Sequence, residues 1–216
     1  MTKTGDSTRI RYDEGCLAAH ALNVIGDRWA LLVVRELMLT PRRFQAIRAG
    51  LPGITAAVLT QRLTQLRAAD VVDHDPDLGV YSLTAAGQAL LPVLQAMCRW
   101  GALHPGHDPR RFISPTALML SMTAMIDTTA ARGRVAVGGF QAGSDRFVMR
   151  LQGDGVARPE AVRRNDADFV LEGSGNTLAR AVYGATPLAE LVASGVVALA
   201  GDRVAAQDFV DLFRLR

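Results

Sequence analysis

The stretch Thr55-Ala-Ala-Val-Leu-Thr-Gln-Arg-Leu-Thr-Gln-Leu-Arg-Ala-Ala69 decides the fold of the first half of the chain. Leu59, Leu63 and Leu66 recur at helical spacing and define one buried face. The opposite face carries Ala57, Thr60, Gln61 and Thr64, all small or polar. Thr55 is a good N-cap, since its hydroxyl can accept a bond from a free amide of the first turn. Leu51-Pro-Gly-Ile54 reads as the turn into this helix, and Phe44 to Gly50 as a short helix before it, with Phe44 and Ile47 inward.

Further toward the N-terminus, Cys16 to Ile25 and Arg28 to Leu39 read as helices. The second is almost continuously apolar and is closed by Thr40-Pro41. On the other side, Val71 to His74 and Val80 to Leu83 are β-rich and flank Asp75-Pro-Asp-Leu-Gly79, a hairpin with its turn at Pro76 to Gly79. Short helices followed by a helix of this kind and a hairpin predict a mainly α winged helix-turn-helix, with the hairpin as wing. Thr84 then caps a long helix, Ala85 to about Leu103. Its stripe of Leu90, Leu91, Leu94, Met97 and Trp100 exceeds what one small domain can cover and predicts a dimer interface.

A helix entering the major groove needs small or polar residues near its N-terminus, cations at its flanks and an apolar back. Thr55, Ala56, Ala57, Thr60 and Gln61 are the base-facing candidates. Gln61 can address adenine, and the alanines can touch thymine methyls. Arg42, Arg43, Arg48, Arg62 and Arg67 are the phosphate candidates. The net charge of +3 is modest, but Arg28 to Ala69 holds seven arginines against one acid, Glu36. That concentration fits a phosphate-facing surface better than a merely solvated one. From Ile113 onward eleven arginines balance eleven acids, so the partner of that half need not be a polyanion.

Apolar residues make up 49% of the chain and charged residues 21%, as in an ordinary folded protein. The polar start, Met1 to Gly15, lacks the apolar segment of a secretory signal, and no apolar run approaches a bilayer span. A cytoplasmic protein without a membrane partner is expected. Two cysteines, Cys16 and Cys98, cannot build a disulfide framework or a four-cysteine zinc site. His104-Pro-Gly-His107 reads as a connection rather than a ligand pair. No metal and no cofactor are expected. Neither a Gly-x-Ser-x-Gly elbow, a phosphate loop, a dinucleotide fingerprint nor His-Glu-x-x-His occurs, which argues against an enzyme.

The expected organisation is an N-terminal arm at residues 1–15, a DNA-binding and dimerisation domain at 16–104, a linker at 105–115 and an α+β domain at 116–216. In the last, a helix from Thr116 to about Ala131 leads to strands at Arg134 to Gly138, Arg146 to Gln152, Asp168 to Glu172 and Val196 to Ala200. Helices at Asn176 to Gly184, Pro187 to Ser194 and Arg203 to Leu215 interleave with them. The pattern predicts a mainly antiparallel sheet.

The first half resembles the HxlR-type winged helix-turn-helix regulators. The residues that carry the likeness are Cys16, Ala21-Leu22, Ile25-Gly-Asp-Arg-Trp29, Leu31-Leu32, Arg35-Glu-Leu37, Pro41-Arg-Arg-Phe44, Leu51-Pro-Gly-Ile54, Leu59-Thr-Gln-Arg-Leu63, Leu66, Tyr81-Ser-Leu-Thr84, Leu91-Pro-Val-Leu94 and Trp100-Gly101. The resemblance implies a homodimer, held by the first helix and the helix after the wing, on a pseudo-palindromic double-stranded operator. The wing departs from it, with Asp73, Asp75 and Asp77 where a basic tip would stand. Members of that family include thiol-based redox sensors with a cysteine near Cys16. The absence of a basic neighbour favours a buried structural role for Cys16 over a redox one, and Cys98 reads as packing.

The second half looks like a sterol carrier protein type-2-like domain, through Phe147-Val-Met-Arg-Leu151, Ala167-Asp-Phe-Val-Leu171, Leu178 to Tyr183 and Val197-Ala-Leu-Ala-Gly-Asp202. That likeness implies an apolar tunnel and a small hydrophobic effector. Phe147, Met149, Phe169, Leu178, Tyr183, Leu188, Val192, Phe209 and Phe213 are candidates for its wall, or for a filled core. A ligand-modulated repressor is the leading reading. A hydrophobic-ligand carrier whose helix-turn-helix only binds proteins is the alternative from another class.

Overall fold

The computed structural model describes residues 12–215, so most of the expected N-terminal arm lies outside the described residues. The first half runs α1 (Leu17–Ile25), α2 (Ala30–Leu37), β1 (Arg42–Arg43), α3 (Phe44–Ala49), α4 (Ala56–Ala68), β2 (Val72–Asp75), β3 (Val80–Leu83), α5 (Ala85–Gln88) and α6 (Leu91–Leu103). Val33, Val34, Leu37, Ile47, Leu51, Leu59, Leu63 and Leu66 form its core. The apolar run in α2 is explained by its central place, with α3, α4 and β3 packed around it.

Two features of this half differ from the expected pattern. Arg42 and Arg43 form a short strand, β1, which pairs antiparallel with β3 and widens the wing to a three-stranded sheet. The long helix after the wing is two helices, broken at Ala89 and Leu90. Pro92 in the first turn of α6 has no amide to donate to the carbonyl of Gln88, and its ring would collide with that carbonyl in a continuous helix.

Residues 104–114 hold neither helix nor strand. The second half continues with α7 (Pro115–Met125), α8 (Thr128–Ala131), β4 (Arg132–Ala142), β5 (Asp145–Asp154), β6 (Ala157–Ala161), β7 (Phe169–Glu172), α9 (Gly175–Tyr183), α10 (Leu188–Ala193), β8 (Ala198–Gly201) and α11 (Arg203–Val210). The sheet order is β6-β5-β4-β7-β8, antiparallel except between β4 and β7. The helix expected over Thr116 to Ala131 is interrupted at Ile126, which is extended. Asp127 restarts it by accepting bonds from the amides of Thr129 and Ala130. Strand β6 escapes the apolar alternation because Ala157-Arg-Pro-Glu-Ala161 is an edge, where proline and charge are tolerated.

Helix α7 is apolar on all sides and lies between the two cores. Leu118, Met119 and Met122 belong to the second core, whereas Leu120 belongs to the first. Polar bonds reinforce this seam. The Ser114 hydroxyl donates to Glu36 Oε1 at 2.7 Å, and Gln95 Nε2 on α6 donates to Thr123 Oγ1 on α7 at 2.9 Å. Among the described residues no single helix is long and apolar enough to cross a membrane, and no group of three His, Cys, Asp or Glu could hold a metal ion.

Candidate nucleic-acid interface

Thr55 caps α4 by accepting a bond from the Val58 amide at 3.3 Å. This sets the helix start, and the leucine face, buried against the core, sets its rotation. Thr55, Ala56, Ala57, Thr60 and Gln61 are all exposed on one side. The Thr60 hydroxyl donates to the Ala56 carbonyl at 2.9 Å and the Thr64 hydroxyl to the Thr60 carbonyl at 3.0 Å. Both hydroxyls therefore offer acceptor lone pairs and methyl groups outward, while the Gln61 amide adds a donor and an acceptor.

The five arginines expected around this face divide. Arg43, Arg48 and Arg67 are exposed, as a phosphate contact requires. Arg62 and Arg42 correct the expectation, because they are only 6% and 9% exposed. Arg62 points to the back of α4, where its Nη2 meets Asp27 Oδ2 at 2.8 Å and its Nη1 bonds Gln65 Oε1. Asp27 Oδ1 also accepts the Trp29 amide at 2.8 Å, so Arg62 ties α4 to the α1–α2 turn. Arg42 turns into the second half, its Nη1 and Nη2 reaching Asp145 at 3.1–3.3 Å and its Nη2 donating to Thr116 Oγ1 at 2.8 Å. A helical-wheel view of α4 already puts Arg62 beside Leu59 and Leu66. For Arg42 the only available signal was the following Arg43, since neighbours on a strand face opposite ways.

The wing is acidic at its surface. Asp75 Oδ1 accepts the amides of Asp77 and Leu78 at 2.9 and 3.0 Å, closing the turn, and Gly79 supplies the positive φ of 64° that the turn needs. Those carboxylates shape the hairpin and repel phosphate.

Glu36, at 2% exposure, sits among Arg35, Ser114 and Gly50. Burial raises its pKa above the ordinary glutamate range, against the pull of Arg35 and Ser114. Cys16 corrects the buried reading. Its thiol is exposed at the start of α1, and the amides of Ala19 and Ala18 hold its pKa below the usual thiol value. A helix N-terminus thus does what a basic neighbour would have done. Cys98 is half-buried, and burial pushes its thiol up.

Exposed apolar residues concentrate on α1, at Leu17 and Leu22, and on α6, at Val93, Met97, Trp100 and Leu103. Trp100 is 67% exposed and Leu103 74%. Only Leu94 of the expected stripe is buried.

In the second half, a cleft of about 900 Å³ opens between α9, α10, α11 and the C-terminal segment. Tyr183, Leu188, Val192 and Phe213 line it. Phe147, Met149, Phe169, Leu178 and Phe209 do not, being part of the closed core where Phe140, Phe169, Phe209 and Phe213 stack at 5.4–6.5 Å. For those five residues the filled-core alternative holds. Arg203, Gln207, Asp208, Asp211 and Arg214 form the polar part of the rim.

The family described as HxlR-like helix-turn-helix matches residues 24–108. A Bacillus subtilis HTH-type transcriptional regulator, YvaP, is 38% identical over 85 residues, which are 37% of this chain and 79% of that protein. The chain belongs to the HxlR-like helix-turn-helix family. An HTH-type transcriptional regulator of Methanothermobacter thermautotrophicus is 32% identical over 98 residues, 43% of this chain and 75% of its own. Among solved structures, the UbiJ-SCP2 ubiquinone synthesis protein is 20% identical with a TM-score of 0.32, covering 39% of this chain and 69% of its own. A likeness that low carries no argument about the second half of this HxlR-like protein.

Proposed function

We propose that the protein is a homodimeric DNA-binding repressor that reads a pseudo-palindromic operator through α4 and responds to a small hydrophobic molecule held in the second half. The observation that carries the reading is the exposed, small and polar face of α4 from Thr55 to Gln61, capped at its start and anchored from behind by Arg62. The exposed apolar residues of α1 and α6 favour a two-fold contact between protomers, because Trp100 and Leu103 would otherwise stay in water.

The cleft supports an effector, and its wall connects to the helices that would hold the dimer. Tyr183, in that wall, shares a 2.7 Å bond with the Ser121 hydroxyl of α7, and Thr123 on the same helix accepts Gln95 of α6. An effector would change operator affinity only by binding one dimer geometry better than the other. The test is binding to the DNA immediately upstream of the protein's own gene, compared with random duplex over a salt series. Clear preference for the upstream DNA supports the regulator, and equal affinity overturns it. Mass spectrometry of protein taken from its producing cell tests the cleft: a stoichiometric lipid-like mass supports the effector, and a bare dimer argues against it.

A second reading has one observation in its favour. The exposed Cys16 thiol, with its lowered pKa, is placed for oxidation on the helix next to the proposed dimer contact. Loss of operator binding on mild oxidation, absent in Cys16→Ser, would make the protein a thiol sensor.

A further inference from the structure

We infer that the second half of the chain touches DNA as well, through a basic surface beside the wing made by Arg146, Arg163 and Arg164. This rests on the reading that α4 binds DNA. It assigns the partner of a surface on a domain whose overall charge balance suggested no polyanionic partner.

The position of this surface follows from two registers. On β1, Arg42 stands opposite Tyr81 and Arg43 opposite Val80, the first residue of β3 after the wing turn. Arg42 reaches Asp145 through both carboxylate oxygens, which brings the start of β5 against the flank of the wing. On the sheet of the second half, β5 and β6 pair as Phe147 with Ala161, and the Val162 amide extends the ladder by donating to the Arg146 carbonyl at 2.9 Å. Arg163 and Arg164 follow directly, so the loop after β6 begins beside the start of β5, whose Asp145 grips Arg42 of β1.

The state of the charges points the same way. Arg163 and Arg164 are exposed and Arg146 is half-buried. Among the described residues no carboxylate lies within ion-pair distance of any of the three, although Asp145 and Asp166 are near in sequence. The Asp145 carboxylate is already taken by Arg42. Farther along β5 and β6, Glu160 matches Arg150 at 3.3 Å and Asp154 matches Arg158 at 2.5 Å. Arg150 and Arg158 thus have carboxylate partners, whereas the arginines beside the wing have none.

A phosphate anion fits guanidinium groups left without a carboxylate. Asp73, Asp75 and Asp77 give the wing the wrong sign for phosphate, yet any duplex engaged by α4 passes close to the hairpin that follows it. Guanidinium forks beside the hairpin supply the backbone anchoring that the wing cannot. Binding to phosphate carries no sequence information, so it lends affinity and register while α4 retains specificity.

The test uses the full chain and a mixed-sequence duplex, because the surface is inferred to meet the DNA backbone. Arg163→Ala with Arg164→Ala should weaken binding at low salt. It should also make the slope of log K against log salt shallower by about 1–2, at roughly 0.9 for each phosphate no longer neutralised. Arg150→Ala with Arg158→Ala removes the same charge from farther along β5 and β6 and should leave the slope as in the unaltered protein. Arg150 and Arg158 are partly exposed, and thermal melting checks that the fold is kept. An unchanged slope in the first variant, or an equal change in both, overturns the inference while leaving α4 as the DNA-binding element. An acidic protein as the true partner would give the first of these results. Failure of the unaltered protein to bind duplex at any salt would instead overturn the underlying regulator reading.

Discussion

Arg42 and Asp145, 103 residues apart in sequence, face each other with both guanidinium Nη atoms on one carboxylate and join the wing sheet to the second half. The pair is not symmetric, for Arg42 is 9% exposed and Asp145 29%. Removing the acid strands a charge that water can hardly reach. Asp145→Ala should therefore lower stability by about 1–3 kcal/mol, below the cost for a fully buried pair. Arg42→Met combined with Asp145→Leu should lose less than Asp145→Ala alone. Urea denaturation of the three proteins decides it, and a double variant worse than the single would count against this account.

Recognition and folding should separate on α4. Ala57→Glu puts a negative charge on an exposed face and should abolish duplex binding while leaving the melting temperature nearly unchanged. Thr55→Ala removes the cap and should cost about 1 kcal/mol of stability. If Ala57→Glu binds DNA like the unaltered protein, the face has been misplaced.

Glu36 should give stability a pH dependence of known sign. Because its native pKa lies above the unfolded value of 4.5, the folded state holds the proton more tightly. Its contribution is full below that value and fades as pH rises through the native pKa. Glu36→Gln lacks this loss, so its melting temperature relative to the unaltered protein should climb as pH rises above 4.5. A difference that stays flat, or falls, would show that Arg35 and Ser114 outweigh the burial.

The two cysteines should react at different rates. Cys16, exposed and with its pKa lowered, should be alkylated well before Cys98, whose thiol burial pushes the other way. A maleimide time course read by mass spectrometry of the intact chain measures this. Equal rates in the folded state would remove the basis for a thiol switch.

The groove helix was legible because its evidence is local, a cap at Thr55 and leucines at helical spacing, and both are as expected. The arginines were legible only as a group. Whether Arg42 faces DNA or Asp145 depends on a partner more than a hundred residues away, which spacing within one segment cannot reveal. Pro92 announced the break between α5 and α6, yet the apolar stripe running through it masked the signal. In the second half the alternating strands were readable, whereas edge strand β6 was not. The division of nine aromatic and aliphatic candidates between a closed core and a cleft depends on how α9, α10 and α11 pack, which side-chain type does not encode.

Leu120 is a residue of one half whose side chain completes the other. A protein cut after residue 108, where the family match ends, would lose that side chain and leave a gap in the first core. The two halves are thus not beads on a string that can be exchanged at will. They should unfold in a single transition, and any graft of the first half onto another domain must bring α7 with it.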